Sequence, residues 1–229
     1  MAKKTNQEET IVDVQEIYSK SELFIDRNRK ALSIGLGIVI LVVVAIVGYR
    51  NLVVNPAEKA AADDAWKAEQ YAEIDSLNLA IEGDGLYDGF TAVIDNHPGT
   101  KAASRAHFYL GSIHRDRGEF QEAIDHFKSA DLKDENVSAM AMGNIGDCLI
   151  ELGNIQEGAT WLEKAGNAAQ SGSGAGFVAP IYLQKAAIAY MDLDNDAKAE
   201  ALLKTITEKY PESQQINDAK KYLAMLEAK

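Results

Sequence analysis

Two stretches decide the fold: AHFYLGSIHRDRGEFQEAIDHFKSA, Ala106–Ala130, and AMGNIGDCLIELGNIQEGATWLEKA, Ala141–Ala165. Laid together at a constant offset of 35, Leu110 meets Ile145, Gly111 meets Gly146, Gly118 meets Gly153 and Phe120 meets Ile155. Ala123 then meets Gly158, Phe127 meets Leu162 and Ala130 meets Ala165. A third copy, LQKAAIAYMDLDNDAKAEALLKTITEKYP, sets Ala187 on Gly146, Tyr190 on Leu149, Ala199 on Gly158 and Leu203 on Leu162. Its six extra residues fall in the linker SGSGAG, Ser171–Gly176. Each copy reads as two amphipathic helices joined by a short turn. The small residues at 111, 146 and 187, and again at 123, 158 and 199, let the paired helices approach closely. Gly118 and Gly153 supply the left-handed stop of the first helix. A unit repeated at such a period cannot bury its apolar face alone, so the copies must stack.

The pattern L-G-x-x-x-x-x-x-G-x-F/Y-x-x-A-x-x-x-F-x-x-A, with a period of about 34, resembles the tetratricopeptide repeat. His107 and His114 stand where that repeat usually has Trp and Tyr, and Gly158 replaces its usual Ala. The expected fold is all-α, a single N-terminal transmembrane helix followed by an α-solenoid of helix-turn-helix units. The expected units span about 57–98, 104–137, 139–172 and 180–213, with a capping helix at 213–229. The first unit is degenerate; Phe90, Pro98 and Gly99 fit its pattern, whereas its first helix matches poorly. Pro211 ends the last unit, and Ala219, Tyr222, Leu223 and Leu226 give the cap one apolar stripe.

Upstream, the 19 residues Ala31–Tyr49, ALSIGLGIVILVVVAIVGY, carry no charge. A helix of that length spans about 28 Å, close to the roughly 30 Å hydrocarbon core of a bilayer. Thirty residues precede the run and no small-x-small cleavage site follows it, so it reads as an anchor and not a cleaved signal. Lys20, Arg27, Arg29 and Lys30 flank it on the N-terminal side, against Arg50 and Lys59 on the other. That asymmetry expects residues 1–30 as a cytoplasmic tail, 31–49 as the span and 50–229 as an exported, periplasmic domain. The residues after 50 hold 16 basic and 29 acidic side chains, a net charge of −13. Tyr49 sits where an interfacial anchor would. The pairs Ala31/Gly35 and Ser33/Gly37 place small residues four apart, the spacing at which a second copy can dock. Ile11, Val14, Ile17, Tyr18 and Ile25 recur at helical spacing, which suits either a surface helix or an extension of the span.

The whole layout, with KSELFIDRNRKALSIGLG entering the span, GDGLYDGFTAVIDNHPGTKAASRAHFYLG and GNIGDCLIELGN, resembles the YfgM-like family of ancillary SecYEG translocon subunits, in its Bacteroidota-type form. That resemblance implies a bacterial inner-membrane protein exposed to the periplasm. It also implies the SecYEG translocon, periplasmic chaperones or exported chains as protein partners. A structural scaffold of another envelope secretion or outer-membrane assembly complex is the alternative.

Composition excludes several classes. With 229 residues, 25% charged, and a formal net charge of −12, the chain is neither disordered nor suited to nucleic acid, which needs a basic face. A single cysteine, Cys148, closes no internal disulfide and has no paired histidine predicted, so it is no nucleophile. His107 and His114 lie seven apart on one helical face, with no third ligand placed, and read as a packed pair. Asp192, Asp194 and Asp196 imitate the start of a calcium loop, yet Ala197 and Leu203 stand where it needs Gly and Glu; helix capping explains them better, as it does Asp84 and Asp88. SGSGAG follows no strand and precedes no Lys-Ser/Thr, so it is no phosphate loop. No catalytic constellation, cofactor site or metal site is expected.

What remains is the groove lined by the first helices. The repeat's usual groove positions carry over to Arg105, Phe108, Ser112 and Arg115; to Met140, Gly143, Asp147, Ile150 and Glu151; and to Ile181, Gln184, Ile188, Met191 and Asp192. Phe108, Met140, Ile150, Ile181, Ile188 and Met191 are apolar at positions the repeat need not bury, which points to a bound segment. The C-terminal helix or the linker folding over them is the competing expectation. Asp147, Glu151 and Asp192 would repel acidic peptide C-termini.

Overall fold

The computed structural model describes the backbone of residues 14–228 and the side chains of residues 22–228. Residues 1–13 of the expected tail, Ile11 among them, lie outside it, as do the side chains of Val14, Ile17, Tyr18 and Lys20. The described chain is all-helical and falls into two units, divided between Asn55 and Pro56, so that the first residue of the helix Asn55–Glu73 belongs to the first unit and the rest to the second.

The first unit holds α1 (Val14–Tyr49) and a π-helical turn, Arg50–Val54. Its most apolar 18-residue stretch has a mean hydropathy of 2.9, and none of it is buried. Leu36, Leu41 and Val44 are all more than 60% exposed. A helix this long and apolar is able to cross a membrane, where lipid takes the surface that water would reject. The Ser33 hydroxyl donates to the Arg29 carbonyl at 2.8 Å, so it asks nothing of the surrounding medium.

The second unit runs α2 (Asn55–Glu73), α3 (Leu77–Glu82), α4 (Phe90–Asn96), α5 (Lys101–Asp116), α6 (Phe120–Ser129), α7 (Glu135–Glu151), α8 (Ile155–Ala169), α9 (Ala175–Asp192), α10 (Asp196–Lys209) and α11 (Ile216–Glu227). α5 packs on α6, α7 on α8 and α9 on α10, and each pair stacks on the next; α11 covers α10. This is solenoid-like repeat packing. Thr100 and Asp134 cap α5 and α7, accepting from the backbone N–H of Ala103 and of Asn136 and Val137.

The turns share one geometry. Gly118 (φ 77°) and Gly153 (φ 80°) take the left-handed conformation, as their position requires. Around each, two bonds close the helix end: Glu119 N to His114 O and Gly118 N to Arg115 O, then Asn154 N to Leu149 O and Gly153 N to Ile150 O. Asp194 (φ 54°) does the same in the next pair, with Asn195 N to Tyr190 O. Aspartate tolerates that region better than most residues. Asp194, expected as a capping residue, thus closes the end of α9 through its backbone, whereas the N-cap residue of α10 is Asn195, which makes no side-chain cap bond.

A fourth copy of the turn sits at Asp75 (φ 60°), with Ser76 N to Tyr71 O at 2.8 Å. It aligns Ala68 with Gly111, Gly146 and Ala187, and Ala80 with Ala123, Gly158 and Ala199; all eight are buried. Leu77 thus holds the position of Phe120 and Ile155. The loop 83–89 splits the second helix into α3 and α4. Phe90 stacks on Tyr109 at 5.0 Å and, with Val93, fills the core between α2 and α5.

Close approach explains the small residues. A Cβ on Gly146 would stand 2.7 Å from Leu162 Cγ and 2.9 Å from the Gly158 carbonyl. The core then proceeds as linked clusters along the stack, through Ile124, Phe127 and Ile145 to Leu162, Leu183, Tyr190, Leu203 and Ile206. α9 begins at Ala175, inside the expected linker and five residues before the expected unit, so Phe177 is helical.

Candidate protein-binding groove

The first helices lie side by side in parallel register. Gly143 of α7 meets the Tyr182 ring of α9, and one turn on Asp147 meets Lys185, at 2.7 Å. Polar bonds join every successive pair on this face. Arg105 donates to Glu69 of α2 at 3.0 Å, Arg115 to Asn144 of α7 at 2.6 Å, and Gln184 to Asp218 of α11 at 3.4 Å. Arg105, Arg115, Asp147 and Gln184, expected to line the groove, each also bond a neighbouring helix. Ser112 likewise donates to its own Phe108 carbonyl at 3.1 Å. Such side chains brace the stack.

The apolar positions divide. Phe108 packs edge-on against Phe127 at 5.6 Å, and Ile150 and Met191 pack partly buried against the core, so these three are less free than expected. Met140 is 41% exposed, and Phe177, which follows the glycine-rich stretch and falls outside the expected units, is 62% exposed. Ile181 and Ile188 are half-buried.

Between α7 and α9 lies a cleft of about 220 Å³, lined by Ile150 and Ile188 but not by Phe108, Met140, Phe177, Ile181 or Met191. α7 supplies Asp147 and Ile150, α8 supplies Ile155 and Leu162, and α9 supplies Lys185, Ile188, Ala189 and Asp192. Asp147, Ile150, Ile188 and Asp192 were legible in the sequence; Lys185, Ile155, Leu162 and Ala189 were not. Lys185 is one position from Gln184, and only the contact with Asp147 singles it out. Among the described residues, none of α11 or of the linker lines the cleft, where the competing expectation had them fold over it. A broader recess of about 740 Å³ lies along the start of α8, beside Trp161, and takes none of the expected groove residues.

The candidate chemistry is absorbed structurally. His107 and His114 do not pair with each other. His107 Nδ1 lies 3.0 Å from His126 Nδ1, whereas His114 stacks on the His126 ring at 5.2 Å and bonds Glu119. Burial, then repulsion from His107 and His114, pulls His126 down to about 4. Burial pushes the Cys148 thiol up to about 11. Asp84 accepts from Tyr71 Oη and from the N–H of Tyr87 and Leu86, which holds it at about 2; it shapes the loop and caps no helix. Among the described residues no group of three acidic, histidine or cysteine side chains is arranged to hold a metal.

A family model described as a tetratricopeptide repeat-like domain matches residues 23–184, and a tetratricopeptide repeat model matches residues 182–213. The chain belongs to the tetratricopeptide repeat-like family. No curated protein matches it. Tetratricopeptide repeats are protein-interaction modules, and the second match falls on α9 and α10, the pair whose first helix forms one wall of the cleft.

Proposed function

We propose that this protein is a single-pass inner-membrane subunit, ancillary to the Sec translocon, whose periplasmic tetratricopeptide domain binds exported chains or periplasmic chaperones. The observation carrying the binding role is the open cleft between α7 and α9, with an apolar floor on a family built for protein contacts. The apolar α1 and the basic residues preceding it support the anchor and its direction. Gly35 and Gly37, where an added Cβ would meet nothing, support pairing of two anchors through Ala31/Gly35 and Ser33/Gly37.

A photo-crosslinking residue in place of Ile188, used in intact cells with mass spectrometry, tests this reading. Adducts with many exported chains, Sec subunits or chaperones are expected. A single stable adduct with another envelope assembly favours the second reading, a static brace, which the polar bonds between successive first helices support. No adduct at all would sink the binding role.

A further inference from the structure

We infer that the α7–α9 cleft selects a polypeptide segment carrying a large aliphatic side chain next to a lysine or arginine, a specificity that rests on the polypeptide-binding role proposed above. The size of the cleft sets the apolar half. At about 220 Å³ it lies below the roughly 300–1,000 Å³ of small-molecule sites, and it suits one side chain of a longer chain. Ile150, Leu162 and Ile188 make its floor, and no polar atom there needs a partner.

The rim sets the charged half. Lys185 neutralises Asp147 at 2.7 Å. Asp192 is exposed and makes no hydrogen bond or ion pair among the described residues, and Glu151, one turn beyond Asp147, is the same. Two carboxylates therefore lack a counter-charge. Glu151 and Asp192 are also the last residues of α7 and α9. The helices run parallel, so the negative ends of both macrodipoles fall at this rim. A cation beside the aliphatic side chain meets Asp192 and the two helix ends, with Glu151 one residue beyond the lining Ile150, and an acidic segment is repelled there. A second copy of the domain, at −13, is disfavoured for the same reason.

The test uses the full chain in nanodiscs of zwitterionic lipid, so that basic peptides do not bind the bilayer. Fluorescent peptides carry leucine flanked by lysines, leucine flanked by glutamates, or serine flanked by lysines. Anisotropy is expected to rank the lysine–leucine peptide at least about ten-fold tighter than the other two. Asp192→Lys, at an exposed site, should abolish the preference for lysine over glutamate while leaving circular dichroism unchanged. Ile188→Ser should weaken both leucine peptides. Equal binding of the two leucine peptides, both lost in Ile188→Ser, would overturn the charge selection and leave the groove standing. Binding of no peptide, with no crosslinks from position 188, would overturn the groove itself.

Discussion

His126 shows how a single residue sets a condition for stability. It lies half-buried between α5 and α6, with His107 and His114 pressing on it and Asp125 opposing them more weakly. Its folded-state value of about 4 is below the ordinary 6.5, so between those values the unfolded chain binds more protons than the folded one. Its contribution to stability is therefore fully present above about pH 6.5 and is lost as pH falls toward 4. His107, also lowered by burial, acts in the same direction. Thermal midpoints measured from pH 7.5 to 5 should fall, and His126→Gln should flatten that slope. A slope unchanged by the substitution would remove His126 as its source.

At the level of elements, the register between α7 and α9 governs the cleft. It is held at two places one turn apart, Gly143 against Tyr182 and Asp147 against Lys185. A Cβ on Gly143 would stand 2.0 Å from Tyr182 Cε1, and the ring is buried too well to yield freely. Overpacking of this kind costs about 1–3 kcal/mol. Gly143→Ala should lower the urea midpoint accordingly, and should cost less when introduced into a Tyr182→Ser background, because the clash is then absent. The ion pair, by contrast, is partly exposed, and its worth is at most about 1 kcal/mol. Packing sets the distance between these helices, and the salt bridge fixes which residues line the rim.

On the scale of the whole molecule, each helical pair in the second unit rests on its neighbours, so stability propagates along the stack and not through one central core. α11 ends that propagation. Ala219 is fully buried against the cluster that holds Leu203 and Ile206, while Tyr222, Leu223 and Leu226 pack around it. Ala219→Asp places an unpaired charge there and should detach α11, exposing large apolar side chains worth about 1.5–3 kcal/mol each. Hydrogen exchange should then quicken in α10 and α11 while α2–α6 keep their protection. Uniform acceleration along the chain would mean a single cooperative core instead.

The sequence by itself determined the anchor-like apolar run and the repeating helical pairs. Both are written in local patterns: an uncharged stretch of bilayer length, and small residues with glycine turns at a fixed offset. It also determined which helices face one another, and thereby Asp147, Ile150, Ile188 and Asp192 as neighbours of one groove. Only tertiary structure decided how those positions are used. Asp75 and Asp194 make the same turn as Gly118 and Gly153, but an aspartate announces no left-handed backbone, so the first pair's register stayed hidden until its neighbours imposed it. Arg105, Arg115 and Gln184 look like ligand contacts because groove positions are periodic. Whether a long polar side chain reaches outward or sideways depends on the helix beside it, and here Glu69, Asn144 and Asp218 stand close enough to take it.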